Sequence, residues 1–182
     1  MLAFLSDDKW DTLTTYLEVK WSLSHFVFLK GVMMNQTNYP FEDKIEVTFR
    51  DIDAMGFVNN AVFFTYFETV RIKYVSRIFE QNDILDLDLP LILVKAECTY
   101  HSPALLGEIL AVGIGLSRFG NKSFDLVYRI EGEDGRLVAT GKTIQVMFNY
   151  ATQSAFPIAE DIKARVHTFQ GTWELPNTDQ VA

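Results

Sequence analysis

From position 44 onward the apolar residues follow two rhythms. In "KIEVTF" (44–49) Ile45, Val47 and Phe49 alternate with polar neighbours, the period-two pattern of a half-buried strand. Further on, Val62, Phe63, Tyr66, Phe67, Val70, Tyr74, Val75, Ile78 and Phe79 recur at spacings of three and four. That pattern predicts a helix of about five turns, with a stripe wide enough to embed it over much of its circumference. "DILDLDLP" (83–90) breaks the period, and Pro90 bars any continuation. Four strands are predicted next: "LILVKAECTYH" (91–101), "EILAVGIGLS" (108–117), "KSFDLVYRIEGE" (122–133) and "RLVATGKTIQVMFNY" (136–150). Gly120-Asn121 and Asp134-Gly135 supply tight turns between the last three. "PIAEDIKARVHTF" (157–169) reads as a short helix opened by Pro157.

Strand, long helix and then four strands joined largely as hairpins is an α+β order, one helix against an antiparallel sheet. Ala111, Gly113 and Gly115 form a small-residue face, which either admits something close to the sheet or makes room for the helix.

The bulk numbers narrow the setting. A chain of 182 residues supports one domain with a core of its own. Its 48% hydrophobic residues and 15 Phe exclude a disordered chain. A net charge of -8 argues against a nucleic-acid partner. The single cysteine, Cys98, cannot form an internal disulfide, so a reducing, cytoplasmic compartment is the expectation. The first 33 residues read differently from the rest. "WSLSHFVFL" (21–29) is too short to span a membrane, and Asp7, Asp8 and Asp11 replace the basic start of a secretory signal. Met33 and Met34 follow, so 1–33 is either an appended leader or a genuine extra element; 34–170 is expected to be the domain and 171–182 a tail.

The candidate chemistry lies in "FRDIDAMGFVNN" (49–60). A calcium loop is rejected, because Met55 and Val62 stand at the fifth and twelfth positions, where oxygen ligands belong. A phosphoryl-transfer site resembling the haloacid-dehalogenase-like phosphatases is disfavoured, because Met55 replaces that family's Thr or Val and the sheet is hairpin-linked. The third reading uses the helix: Asp53 lies just before its start, where backbone N–H groups near Asn59 and Asn60 favour an oxyanion. A carboxylate beside such donors suits attack on a polarised carbonyl. Spacing alone slightly favours a simpler role, with Asp53, Asn59 or Asn60 as a helix cap, over this acyl-transfer site.

"VTFRDIDAMGFVNNAVFFTYFETVRIKYV", "YHSPALLGEIL", "GNKSFDLVYRI" and "FPIAEDIKARV" together resemble the 4-hydroxybenzoyl-CoA thioesterase family of hotdog-fold acyl-CoA thioesterases, from about Lys44 to Val166. The resemblance implies a curved antiparallel sheet wrapped round one long helix. It implies hydrolysis of an acyl-CoA with Asp53 as nucleophile or general base and the Asn60 backbone N–H as oxyanion donor. Lys122, Ser123 and Arg118 would meet the CoA phosphates. Neither a cofactor nor a metal is needed, CoA being part of the substrate, and members are dimers or tetramers of dimers sharing the site between subunits. One departure stands out: many relatives carry His directly after the glycine, and this chain has Phe57. Glu68 matches a second branch that keeps its acid within the helix, although a Glu68–Arg71 pair explains it more simply. The rival from another class is a non-catalytic acyl-CoA-binding or assembly module, for which Phe57 leaves room. No His lies between Phe49 and Phe79, which disfavours a hotdog dehydratase.

Overall fold

A computed structural model of the chain describes residues 38–80 and 90–176. The expectations for 1–33, for "DILDLDL" and for the end of the tail fall outside the described residues. Strands β1 (Phe41–Glu46), β2 (Leu91–Tyr100), β3 (Ile109–Phe119), β4 (Ser123–Glu131), β5 (Leu137–Asn149) and β6 (Ser154–Ala155) accompany two helices, α1 (Val62–Ile78) and α2 (Glu160–Gln170). The strands form one antiparallel sheet in the order β1-β3-β4-β5-β2, with β6 added to β5. The curved sheet with one long helix packed on it is the α+β hotdog arrangement.

The helical stripe and the strand alternation meet in one core. Phe63, Tyr66, Phe67, Val70, Tyr74 and Ile78 of α1 are buried, with Val62, Val75 and Phe79 packed beside them. They face Leu110, Val112, Ile114 and Leu116 of β3 and Leu126, Tyr128 and Ile130 of β4. The Phe67 and Tyr128 rings stack with centroids 4.4 Å apart. Glycine at 141 makes room for the helix, since a Cβ there would lie 2.3 Å from the Phe67 ring. Gly115 answers the other possibility: a Cβ at 115 would lie 2.5 Å from the indole of Trp173. The start of the expected tail is thereby seated on β3, and the Trp173 indole N–H donates to the Asn38 carbonyl at 2.8 Å.

Two boundaries differ from the sequence expectation. The first strand ends at Glu46, and Phe49, expected on the inward face, is 83% exposed. Its neighbour Asp51 accepts hydrogen bonds from the Thr48 N–H (2.8 Å) and hydroxyl (2.7 Å). This local cap winds Phe49–Asp51 into a 3-10 turn and overrides the period of two. Helix α2 opens at Glu160, three residues after Pro157, because Ser154–Ala155 first pair with β5.

Beyond the start of β1, which pairs Phe41 with Ile114, α2 completes the edge of β3. The Gln170 side-chain amide accepts from the Leu116 N–H (2.6 Å) and donates to the Leu116 carbonyl (3.0 Å), standing where a strand residue would.

Candidate functional site

Asp53 is positioned by backbone geometry. Its N–H donates to the Phe57 carbonyl (2.8 Å), and the Gly56 N–H donates back to the Asp53 carbonyl (3.0 Å). Gly56 has φ +84°, the left-handed conformation that closes such a hairpin turn. Gly132 and Gly135 repeat the arrangement between β4 and β5, with bonds of 3.0 and 2.9 Å and φ +79° at Gly135. Within the turn Asp53 Oδ1 accepts from the Met55 N–H at 2.8 Å. Oδ2 accepts no hydrogen bond among the described residues. Asp51, the other carboxylate of the DID stretch, is occupied by its cap on Thr48.

The start of α1 leaves one donor open. The Asn59 carbonyl accepts from the Val62 N–H (2.9 Å), and Asn59 Oδ1 accepts from the Ala61 N–H (2.9 Å). The Asn60 carbonyl accepts from the Tyr100 hydroxyl at 2.9 Å. Three of the four polar groups on the peptides 59–60 and 60–61 are thus held, while the Asn60 N–H meets no acceptor among the described residues. Asn59 Oδ1 holds the N–H of Ala61, the N-cap residue, and neither Asn59 nor Asp53 caps the helix with its side chain.

Asp53, Met55, Phe57 and Asn60 line one open pocket of about 290 Å³ with Phe63 and Tyr100. Its opposite wall is the end of β2 and the chain after it, where His101 and Ser102 also contribute. Phe57 is 40% exposed and forms an isolated β-bridge with Leu105. The pocket therefore sets a carboxylate beside an open backbone donor under an aromatic rim.

The other candidates lie elsewhere in the chain. Glu68 is exposed on α1 and pairs with Arg71 at 3.4 Å. Lys122 donates to the Ala155 carbonyl at 2.8 Å, and Arg118 makes paired 3.0 Å bonds to the buried carboxylate of Asp125. They and Ser123 sit at the β3–β4 hairpin, whereas the pocket borders the far end of β3; its length, at ~3.3 Å per residue, separates the two regions by roughly 30 Å. Within one chain they do not meet Asp53. No group of three His, Cys, Asp or Glu side chains that could hold a metal occurs among the described residues. No helix among the described residues is long and apolar enough to cross a membrane.

Tyr100 and His101 escaped the sequence reading. Both close a predicted strand, and their approach to the start of α1 spans some forty positions, which no local pattern records; the nearby Pro103 marks only the end of the strand.

The sequence profile of the thioesterase-like superfamily matches residues 47–166. The chain belongs to this superfamily. By class this thioesterase-like protein is thus a thioester hydrolase. Among solved structures it is similar to a thioesterase from Thermus thermophilus complexed with coenzyme A and zinc, with 30% identity and a TM-score of 0.68 over 76% of this chain and 99% of that one. It is 26% identical to the uncharacterized protein YsmA of Bacillus subtilis (strain 168) over 70% of this chain and 86% of YsmA. A putative esterase of Aquifex aeolicus (strain VF5) is 29% identical over 52% of this chain and 75% of its own.

Proposed function

We propose that this thioesterase-like protein hydrolyses an acyl-CoA in the manner of the 4-hydroxybenzoyl-CoA thioesterase family, with Asp53 as its acid–base or nucleophilic group. The observation that carries the reading is the shared pocket: Asp53, with Oδ2 unengaged, and the open Asn60 N–H line the same cavity. With Asp53 as base, a water proton passes to the carboxylate as the water oxygen bonds to the thioester carbon. The carbonyl oxygen takes the negative charge and is held by the Asn60 N–H and the start of α1. The C–S bond then breaks, and the CoA sulfur receives the proton from Asp53. With Asp53 as nucleophile, its carboxylate bonds to the carbon and expels CoA thiolate, and water hydrolyses the resulting anhydride. Either route uses the same two groups and no cofactor beyond the substrate's own CoA.

The reading includes a homodimer or a larger homo-oligomer in a cytoplasmic setting. Support comes from the edge strand β2, where Leu93 (45%) and Val94 (56%) are exposed and β5 is the one strand alongside among the described residues. A second subunit also supplies the means for Lys122, Ser123 and Arg118 to reach a CoA whose acyl end lies at another subunit's Asp53. Glu68 is the reserve acid.

The test is release of free thiol from short-chain, aromatic and long-chain acyl-CoAs by the wild type and by Asp53→Ala. A general base of this kind contributes about 10²–10⁴ in rate, so the variant loses turnover by that factor while remaining folded. Unchanged turnover in Asp53→Ala sinks the assignment and moves attention to Glu68. Phe57, which offers no hydrogen bond where many relatives have His, favours a second reading as a binding module; CoA binding without hydrolysis of any thioester by the wild type would establish that instead.

A further inference from the structure

We infer that Tyr100 is a positioning residue of this reaction, its hydroxyl holding the Asn60–Ala61 peptide so that the adjacent Asn60 N–H faces the thioester oxygen. The inference rests on the acyl-CoA reading above and assigns a task to a residue at the end of β2.

The geometry is a clamp with two jaws. At one end of the Asn60–Ala61 peptide the Ala61 N–H donates to Asn59 Oδ1 (2.9 Å); at the other, the carbonyl accepts from Tyr100 (2.9 Å). A peptide unit is planar, so fixing both ends fixes its orientation. The preceding peptide is held through the Asn59 carbonyl by the Val62 N–H. The Asn60 N–H lies in that preceding plane, which joins the clamped one at the Asn60 Cα, so holding the second plane limits how far the first can turn.

Tyr100 is itself held. Its ring meets Phe63, in the first turn of α1, edge-on at 5.2 Å between centroids, and Phe63 meets Tyr66 at 6.0 Å. Tyr100 also pairs with Ala139 of β5, so the clamp is anchored in the sheet. A phenol has one hydrogen to donate, and the Asn60 carbonyl takes it. The hydroxyl is therefore not an oxyanion donor in its own right. Burial, with the Cys98 thiol beside it, pushes the Tyr100 pKa up to about 12, so the donor keeps its proton under ordinary assay conditions.

Tyr100→Phe keeps the ring and removes only the hydroxyl. A misdirected catalytic group costs on the order of 10²-fold, so kcat is expected to fall about 10- to 100-fold. KM stays within about twofold, because ground-state binding does not use the oxyanion geometry. The pH profile of kcat keeps its shape. Infrared spectroscopy of a bound ketone analogue of acyl-CoA, methylene replacing sulfur, gives an independent readout. Its carbonyl stretch lies at lower frequency on the wild type and returns toward the free value on Tyr100→Phe. Asn59→Ala, which opens the other jaw, shifts kcat and the carbonyl stretch in the same sense and serves if Tyr100→Phe does not fold. A raised KM with unchanged kcat, or an unshifted carbonyl in a folded variant, overturns the inference. Wild-type hydrolysis that persists in Asp53→Ala overturns the underlying reading instead, whatever Tyr100→Phe does.

Discussion

Gly141 and Phe67 share one space: the Cζ of the Phe67 ring lies 2.3 Å from where a Cβ on residue 141 would stand. The ring is fully buried and stacked on Tyr128, so it has no open side into which to swing. Overpacking of this kind costs about 1–3 kcal/mol. Gly141→Ala is therefore expected to lower the urea midpoint accordingly, and Phe67→Leu in the same chain to recover part of the loss. A Gly141→Ala protein as stable as the wild type would mean that the helix can lift from the sheet freely.

Gln170 closes the edge of β3 and also accepts from the Tyr74 hydroxyl. Its loss strands a strand N–H and a buried phenol together. Leaving a buried donor unsatisfied costs about 1–3 kcal/mol, and Gln170→Ala is expected to destabilise within or above that range. Hydrogen exchange at the Leu116 amide is the local check: faster exchange in the variant is expected, and an unchanged rate would deny Gln170 its role at the edge.

Asp51 and Asp53 are two residues apart and separable by experiment. Asp51 caps the 3-10 turn, and its charge, after burial, raises the pKa of the covered Tyr66 hydroxyl. Cap removal costs ~0.5–2 kcal/mol, so Asp51→Ala is expected to lower the melting temperature. Asp53→Ala forfeits only a local bond to the Met55 N–H and is expected to melt close to the wild type. Parallel melting curves and thiol-release assays distinguish the two; the reverse pattern would exchange their roles.

Asp125 carries an acid-sensitive share of the stability. Burial alone would raise its pKa, but hydrogen bonds and charge from Arg118 and Lys142 leave it below the ordinary carboxylate value. A carboxyl with a depressed folded pKa stabilises the fold above its unfolded value near ~3.9, and that contribution is lost as pH falls through the folded pKa. Asp125→Asn is thus expected to be less stable than the wild type at pH 7, with the gap narrowing below about pH 4. Urea titrations at several pH values measure it; a gap that widens in acid would contradict the pairing.

The helix and the strands from 91 to 150 were legible because their apolar residues serve one two-layer core. Periods of 3.6 and 2 then survive intact, as Phe63, Tyr66, Phe67, Val70 and Leu110, Val112, Ile114 show. Periodicity failed where a local bond outranked burial, at Phe49 beside the Thr48–Asp51 cap; Thr followed three positions later by Asp was the available signal. It also missed β6, whose two residues are too few to carry a period. In the candidate site, Asp53, Phe57 and Asn60 were readable from one contiguous stretch. Tyr100 was not, since its bond to Asn60 exists only after the end of β2 is laid against the start of α1.

The turn from Asp53 to Phe57 is specified by main-chain bonds and one glycine, which leaves Ala54 and Met55 with little to do for the fold. Met55 is 76% exposed and borders the pocket, and its one hydrogen bond among the described residues uses an N–H that any residue except proline supplies. A mutant library at this position would thus vary the mouth of the pocket with the acid unmoved, and new acyl preferences are best sought there in directed evolution.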